Sequence, residues 1–208
     1  MQPTEKIQKH YINVALHELG KIYEVVAEGE KISPLDLLKT TSNLLSYNDI
    51  NFAIAGGFAR SIHATPRATG DVDIVVAVKD RPQVEDLLKA KGFIHTDLLE
   101  YSKPNRSIVK FKFKGREIDL IEYSNPEFVD FLLTTSIKHD LFGTSYSFLG
   151  LEGVMLTKIC SFRFKDKADL IDLLRDTKPD LEIIKSWASK LGVMDRFSFL
   201  LENHDEDR

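Results

Sequence analysis

Three aspartates form the group of residues in this sequence whose types and spacing could do chemistry. Asp71 and Asp73 are separated by one residue in an apolar stretch that predicts a β-strand over Asp71–Val78. Alternate residues of a strand share one face and lie roughly 6.6 Å apart, so the two carboxylates would be neighbours. Like charges at this separation are costly unless a cation lies between them. Because Mg²⁺ prefers hard oxygen ligands and keeps phosphate oxygens in its shell, the pair predicts a site for Mg²⁺ or Mn²⁺ that also holds a phosphate ligand.

A third carboxylate would complete a two-metal site of the phosphoryl-transfer type. Asp119 lies in the predicted strand Glu117–Tyr123, between two apolar residues that would point to the opposite face. If this strand pairs beside Asp71–Val78, all three carboxylates converge. Two alternatives are less suited, because Asp130 falls in a helical pattern and Asp140 in a predicted loop.

A pair of glycines stands upstream of the aspartates. Gly56 and Gly57 end the predicted strand Ile50–Ala55 and precede a predicted helix from Phe58 to about Ala64. Without side chains, this corner would let a triphosphate approach the backbone, and the amides at a helix N-terminus favour negative charge. The glycines, the N-terminus of the helix and the carboxylates would then all contact the same ligand.

The order of these motifs resembles the nucleotidyltransferase superfamily, whose members have a polymerase-β-like fold. The finer pattern resembles the branch of AbiEii-type toxin nucleotidyltransferases, and the resemblance covers roughly Phe52 to Leu174. The residues that carry it are Gly56-Gly57-x-Ala59, His63, Arg67-x-Thr69-x-Asp71-x-Asp73, Asp119, Leu151-Glu152, Lys158 and Arg163-Phe164-Lys165-Asp166. One departure is Phe58, because many active members carry a serine after the glycine.

The resemblance implies roles for individual residues. Asp71 and Asp73 would ligate both metal ions, and Asp119 would ligate the catalytic metal and help activate the acceptor hydroxyl. Lys158 would contact the triphosphate or the leaving pyrophosphate. The remaining residues expected to bind the nucleotide are Gly56, Gly57, Arg60, Arg67, Thr69, Arg163 and Lys165.

The implied activity is transfer of a nucleoside monophosphate from an NTP to a hydroxyl acceptor, with release of pyrophosphate. Within the branch the acceptor could be tRNA, a protein side chain or a small molecule, and a toxin-like role would imply an antitoxin protein as partner. One alternative is an antibiotic-modifying enzyme, for which Glu100, Glu117 and Glu122 could supply an acidic substrate pocket. Another is a nucleotide-binding module without turnover.

Several other residues allow two interpretations. Lys110, Lys112 and Lys114 alternate with apolar residues on a half-exposed strand; they could follow a nucleic-acid backbone, but we favour the protection of a sheet edge against aggregation. The group Arg163, Lys165, Lys167, Asp166 and Asp169 could bind substrate or form a solvated ion-pair cluster. We interpret His63 as a hydrogen-bonded structural histidine and Cys160 as a small buried hydrophobe.

The elements that must position these residues follow from hydrophobic periodicity and caps. The sequence predicts an α/β (α+β) fold: a short mixed sheet flanked by helices, followed by a helical C-terminal region. We expect residues 1–149 to hold two N-terminal helices and the core, which begins near residue 50, and residues 150–208 to be helical. The predicted helices are Thr4–Ala27, Ser33–Tyr47, Arg81–Gly92, Pro126–Thr135, Leu151–Phe162, Lys167–Asp176, Asp180–Leu191 and Met194–Glu202.

Composition sets the broad class. The chain has 208 residues, of which 43% are hydrophobic and 29% charged, and its formal net charge is -4. This suffices for one core with a small helical appendage, and it lacks the basic character of a protein that depends on non-specific nucleic-acid binding. No stretch approaches the roughly 18 apolar residues of a membrane span. With one cysteine, a cytoplasmic location is expected.

Overall fold

The computed structural model describes residues 31–101, 106–141 and 143–204. The helix predicted over Thr4–Ala27 lies outside these ranges. Within them, no helix combines the length and the apolar character that crossing a membrane requires.

The described residues form one mixed sheet of seven strands in the order β3-β4-β5-β2-β1-β7-β6. Strands β2 and β5 are parallel, as are β1 and β7, and the remaining neighbours are antiparallel. The strands are β1 (Phe52–Ile54), β2 (Val72–Val76), β3 (Ile94–Tyr101), β4 (Arg106–Phe113), β5 (Arg116–Tyr123), β6 (Ile137–Leu141) and β7 (Thr144–Phe148).

Eight α-helices accompany the sheet in the described ranges. Ser33 caps the first of them, with its hydroxyl accepting from the amide of Asp36, and Pro34 occupies the first helical position as predicted. The helices are α1 (Pro34–Tyr47), α2 (Gly56–His63), α3 (Arg81–Ala90), α4 (Pro126–Thr134), α5 (Leu151–Ser161), α6 (Phe164–Asp176), α7 (Leu181–Lys190) and α8 (Met194–His204).

A single hydrophobic cluster joins the sheet to the C-terminal helices. Strand β2 lies at its centre, between β1 and β5, and its residues Val72, Ile74, Val75 and Val76 are fully buried. The break predicted near Gly150 falls between β7 and α5, and no strand follows it in the described residues. The predicted fold class is confirmed: a mixed α/β core precedes an all-helical region.

Several predicted elements differ from the structure. Helix α2 begins at Gly56 instead of Phe58, and β2 begins at Val72, so that Asp71 directly precedes the strand. Strands β3, β6 and β7 were not predicted. The placement of Asp140 in a loop was therefore wrong, because it lies in β6.

The edge-strand interpretation of the lysine row was also wrong. Strand β4, which carries Lys110 and Lys112, lies between β3 and β5 and has hydrogen-bonded neighbours on both sides. The lysines instead meet acidic residues of β5: Lys110 pairs with Asp119, and Lys112 lies 3.4 Å from Glu117.

The position of β2 leads to a stability prediction. Ile74 is fully buried and pairs with Ile54 of β1 and Leu120 of β5. Ile74→Ala should lower the free energy of unfolding by about 2–5 kcal/mol, since it removes a core side chain and leaves a cavity. Ile94→Ala is the matched control, because Ile94 is 67% exposed on β3; it should stay within about 0.5 kcal/mol of the parent. Chemical denaturation measures both, and equal effects would contradict the central place of β2.

Candidate active site

The parallel pairing of β2 and β5 brings two of the three aspartates side by side. Asp73 of β2 stands in register with Asp119 of β5, and Asp71 lies two residues before Asp73 at the entrance of β2. Neighbouring strands are about 4.7–4.9 Å apart, so the paired side chains leave the same face of the sheet from adjacent backbones. The predicted adjacency of these two strands is confirmed.

The glycine corner lies directly against Asp73. The amide of Ala55, which caps α2, donates to the backbone carbonyl of Asp73 at 2.8 Å. Gly56 has a φ of +58°, and a Cβ built there would overlap Oδ2 of Asp73 and lie 2.9 Å from its Cβ. A Cβ on Gly57 would lie 2.6 Å from Oγ1 of Thr69. Both positions therefore require glycine: the first lets α2 begin beside the carboxylate, and the second admits the loop that leads into β2.

The carboxylates repel each other. Burial, followed by the charges of Asp119 and Asp71, raises the pKa of Asp73 to about 6, although Lys158 and Lys165 act in the opposite direction. Burial also raises the pKa of Asp71, with further contributions from Asp119 and Glu117. Each aspartate thus lies within electrostatic reach of the others, which is the environment that a bound cation would relieve.

Lys110 is the cation that pairs with the carboxylate of Asp119. Its Nζ lies 2.8 Å from Oδ1 and 2.9 Å from Oδ2 of that carboxylate. Burial alone would lower the pKa of Lys110, but the hydrogen bonds that it donates to Asp119 and the negative charges of Asp119, Glu117 and Asp71 raise it. Sequence reasoning missed this lysine as a site residue. The hairpin turn at Lys114-Gly115 contained the signal, because a two-residue turn pairs position 113 with 116 and hence 110 with 119.

The donor set fits a divalent metal, and one of its members is engaged elsewhere. Asp71, Asp73 and Asp119 offer the hard carboxylate oxygens that Mg²⁺ or Mn²⁺ prefers, and Asp73 lies against the glycine corner that a Cβ would fill. However, no group of three acidic, histidine or cysteine side chains is gathered as a metal-ligand set in the described residues. Asp119 directs both oxygens at Lys110, so metal binding would require that carboxylate to turn towards Asp73.

A buried ion-pair cluster faces the aspartates from the C-terminal helices. Lys158 of α5 is 5% exposed, and its Nζ lies 2.6 Å from Oδ2 of Asp169 and 3.7 Å from Asp166, both in α6. Arg67 donates to both oxygens of Asp169 at 2.8 Å. Burial alone would raise the pKa of Asp169, but the hydrogen bond from Arg67 and the charge of Lys158 lower it to about 2. Asp169 therefore holds two of the predicted phosphate-binding cations.

Two further predicted cations are paired in the same cluster, and a third is exposed. Arg60 of α2 is buried and lies 2.6 Å from Asp172 and 3.4 Å from Asp169. Arg163 caps α6 by pairing with Asp166 at 2.8 Å. Lys165 is exposed, and its charge lowers the pKa of both Asp71 and Asp73. It is thus a solvent-accessible cation within electrostatic reach of the carboxylates.

The other residues singled out from the sequence have structural roles. His63 contacts the carbonyl of Leu149 through Nε2 at 2.9 Å, which confirms its interpretation as a hydrogen-bonded histidine. Cys160 is buried, and burial raises the pKa of its thiol to about 12, as expected of a core residue. Phe58, at the position where the sequence departs from the resembling family, is buried in the core.

The acidic pocket considered for a cationic substrate does not form from Glu117 and Glu122. The two residues are five positions apart on β5, so they leave opposite faces of the sheet, and Glu117 shares the face of Asp119. Glu122 pairs with Arg81 and Glu117 with Lys112. The side chain of Glu100 lies outside the described part of the structure.

The overlap at Gly56 gives a first prediction for the site. Gly56→Ala should destabilise the protein more than Gly192→Ala does. Gly192 has a similar positive φ of +69° but no atom within 4 Å of an added Cβ, so it reports backbone strain alone, about 1–2 kcal/mol. The excess at Gly56 measures the displacement of Asp73. Urea denaturation of both variants checks this, and equal losses would show that the corner does not press on the carboxylate.

The raised pKa of Asp73 gives a second prediction, made in the presence of a chelator. The folded-state pKa of about 6 lies above the ordinary value of 3.8, so folding favours the protonated carboxyl. This contribution is complete below the ordinary value and is lost as the pH rises through about 6. Asp73→Asn should therefore be more stable than the parent at neutral pH, by up to about 3 kcal/mol. A difference that does not grow with pH would contradict the repulsion among the three carboxylates.

No protein-family profile matches the chain, and no curated protein matches it by sequence. Among solved structures, the antibiotic-resistance factor ANT(2'')-Ia aligns with 82% of this chain and 96% of its own, at a TM-score of 0.56 and 12% identity. TM1012 of Thermotoga maritima, provisionally assigned as a nucleotidyltransferase, aligns with 69% of this chain and 93% of its own, at a TM-score of 0.52 and 15% identity. The chain therefore has the nucleotidyltransferase fold.

Proposed function

We propose that this protein is a metal-dependent nucleotidyltransferase that transfers a nucleoside monophosphate from an NTP to a hydroxyl acceptor. The observation that carries the proposal is the register of Asp73 with Asp119 on parallel neighbouring strands, beside the close approach of Gly56. The nucleotidyltransferase fold supports it. A binding module without turnover would have no need to keep three mutually repelling carboxylates together.

The aspartates would hold the metal ions. Asp71 and Asp73 would ligate both ions, and Asp119 would ligate the catalytic one. When bound, Mg²⁺ or Mn²⁺ neutralises phosphate charge and favours attack at phosphorus. Because Asp119 is paired with Lys110, metal binding would require this ion pair to open, and Glu117, 3.8 Å from Lys110, is the acid with which the lysine could then pair.

The corner at Gly56 and Gly57 would receive the triphosphate. The first amides of α2 lack partners within the helix and point towards an approaching anion. Lys165 lies exposed within electrostatic reach of Asp71 and Asp73, which suits contact with the outgoing phosphates. Lys158 and Arg67 add positive potential from behind the site while Asp169 holds them in place.

The proposed reaction is an in-line displacement at the α-phosphorus of the NTP. The acceptor hydroxyl oxygen forms a bond to the α-phosphorus of the NTP, and the bond from that phosphorus to the bridging oxygen of the β-phosphate breaks. The hydroxyl proton passes to the carboxylate of Asp119, and pyrophosphate leaves. Negative charge grows on the phosphate oxygens during the step, and the cations around the site offset it.

The acceptor class that we favour is an RNA 3′ end, with a protein hydroxyl as the nearest competitor. The sequence pattern from Arg67 to Asp73 and from Leu151 to Asp166 resembles the toxin branch, for which RNA and protein acceptors are considered alongside small molecules. The separation of Glu117 and Glu122 on opposite faces of β5 weighs against an acidic pocket for a cationic small molecule.

Labelling with radioactive nucleotides tests the activity. The protein should transfer label from an α-³²P NTP to RNA or protein in a cell extract when Mg²⁺ is present, and Asp73→Ala should reduce transfer to background. Asp97→Ala is the matched control, because Asp97 is an exposed acid on β3 outside the cluster; it should keep full transfer. Activity that survives Asp73→Ala would refute the assignment, as would the absence of labelled acceptor with every NTP.

Metal binding is tested without turnover. Mg²⁺ should raise the melting temperature of the parent protein at neutral pH, since a ligand that binds only the folded state stabilises it. Asp73→Asn should lose most of this increase, while Asp97→Asn should keep it. An equal increase in both variants would mean that the ion binds elsewhere.

A further inference from the structure

The first residue of helix α6 is an aromatic side chain that lies almost entirely in solvent. Phe164 is 91% exposed, more than any other large hydrophobic residue in the described ranges, and it follows the cap Arg163. Burying an aromatic side chain against a partner contributes a large free energy. One exposed apolar residue is ordinary by itself, so the residues around the ring decide its role.

Two further rings and a lysine extend the exposed area towards α8. Lys167 lies three residues after Phe164, a spacing at which helix residues are neighbours on the surface. Its Nζ lies 4.6 Å from the ring centroid of Phe162 and 4.8 Å from that of Phe199. The two rings pack edge to face at 5.7 Å, and Phe199 is 43% exposed. We call these residues, together with Lys165, the basic aromatic surface.

The basic aromatic surface is positively charged. Neither Lys165 nor Lys167 forms an ion pair with another residue in the described ranges. The nearest acids along α6, Asp166 and Asp169, are 1% and 3% exposed and are paired with cations of the buried cluster. The charges of the two lysines are therefore available to an anion, although the chain as a whole has a net charge of -4.

This surface borders the candidate active site. Arg67, in the loop that leads to Asp71, donates to Asp169 at 2.8 Å and so holds the first turns of α6 beside that loop. Lys165 lies within electrostatic reach of the aspartate pair. Phe164 adjoins Lys165 in the chain, with consecutive Cα atoms about 3.8 Å apart. A strand that ended at the aspartates would therefore pass close to the ring.

A single-stranded nucleic acid matches this combination better than a protein does. Every nucleobase has a π-face that stacks on an exposed aromatic ring, and neighbouring lysines bind the phosphates between bases. The bases of a duplex are already stacked on each other, so only an unpaired segment offers a free face. Protein interfaces are enriched in aromatic residues but depleted in lysine, whereas Phe164 lies among Arg163, Lys165 and Lys167.

We propose that the basic aromatic surface binds the single-stranded end of an RNA, with one base stacked on Phe164 and the adjoining phosphates held by Lys165 and Lys167. Stacking tolerates any base, so this contact positions the strand without reading its sequence. The choice of RNA rests on the proposed function, because it takes the strand to be the acceptor whose terminal hydroxyl lies at the aspartates.

Fluorescence anisotropy on the full-length protein tests the stacked base. The probes are a fluorescein-labelled oligoadenylate and an abasic strand of equal length, both in a chelator and without NTP. The parent should bind the oligoadenylate at least about tenfold more tightly than the abasic strand, since stacking on an aromatic ring is lost without bases. Phe164→Ala should weaken oligoadenylate binding about tenfold and leave abasic binding unchanged, whereas Phe164→Trp should keep both.

Tyr47→Ala is the matched control for the loss of an aromatic ring. Tyr47 is 86% exposed on α1 and does not belong to the basic aromatic surface, so this variant should bind RNA like the parent. Phe164 is equally outside the core, so its replacement leaves the fold intact and a loss of binding reports the contact itself.

Salt dependence tests the two lysines. Lys165→Gln and Lys167→Gln should each reduce the slope of log K against log salt concentration by about 0.7, the value for one phosphate contact of a single strand. Lys89→Gln is the control, because Lys89 lies half exposed on α3 and pairs with Glu85; it should leave the slope unchanged. Unchanged slopes in both surface variants would contradict phosphate contacts at these lysines.

Three outcomes would overturn the proposal: no binding of the oligoadenylate, equal affinity for the two strands, or equal RNA binding by the parent and Phe164→Ala. The last outcome would leave the ring to a protein partner. Since the assay contains neither NTP nor metal ion, the two proposals fail separately. RNA binding that depends on Phe164 without any transfer of label refutes the transferase alone, and transfer of label without RNA binding refutes the surface alone.

Discussion

Repulsion among three carboxylates is the constraint on which the site depends. The parallel register of β2 with β5 sets Asp73 beside Asp119, and the short path into β2 adds Asp71. Side chains free to move would separate these charges. Here the surrounding sheet is fixed by an apolar core, with Ile74 and Leu120 buried on the opposite face. The stability of the core therefore maintains an electrostatic arrangement that is unfavourable by itself, which is common where a fold pre-organises a cation site.

The positive charges near this site are held in pairs, which limits how they can act. Asp169 pairs with both Arg67 and Lys158. Its negative charge offsets the cost of burying the lysine on α5. Four elements meet at this group, because Arg60 comes from α2, Arg67 from the loop before β2, Lys158 from α5 and Asp169 from α6. The cluster thus fastens the helical region to the sheet beside the aspartates. Because the cations of the cluster are already paired, they would act on a ligand mainly through their electrostatic potential. The exposed Lys165 could also contact a ligand directly.

Local patterns predicted much of the fold, and long-range pairing accounts for the failures. The cap at Ser33 and the turn at Lys114-Gly115 are decided by neighbouring residues, so α1 and the β4–β5 hairpin could be read from sequence. Strand β3 could not, because Ile94–Tyr101 has no regular alternation, its first five residues are exposed, and it is held in the sheet by its partner β4. Because β3 was not predicted, the inner strand β4 was interpreted as an edge strand. The aspartates were found because their spacing has a direct physical meaning, but Lys110 was recognisable only once the hairpin register was applied across both strands.

The two carboxylates of β5 show how one strand supports two different environments. Asp119 and Glu122 are three residues apart, roughly 10 Å along the strand, so they leave opposite faces. Asp119 faces the aspartate cluster and pairs with Lys110, which also lies 3.8 Å from Glu117. Glu122 is buried beside Arg81 with one oxygen unsatisfied. Asp119 thus shares its lysine with a neighbouring acid, whereas Glu122 is held by Arg81 and by the hydroxyl of Ser107. The two faces of β5 therefore carry acids in different surroundings: one belongs to the partly exposed aspartate cluster and the other to a buried ion pair.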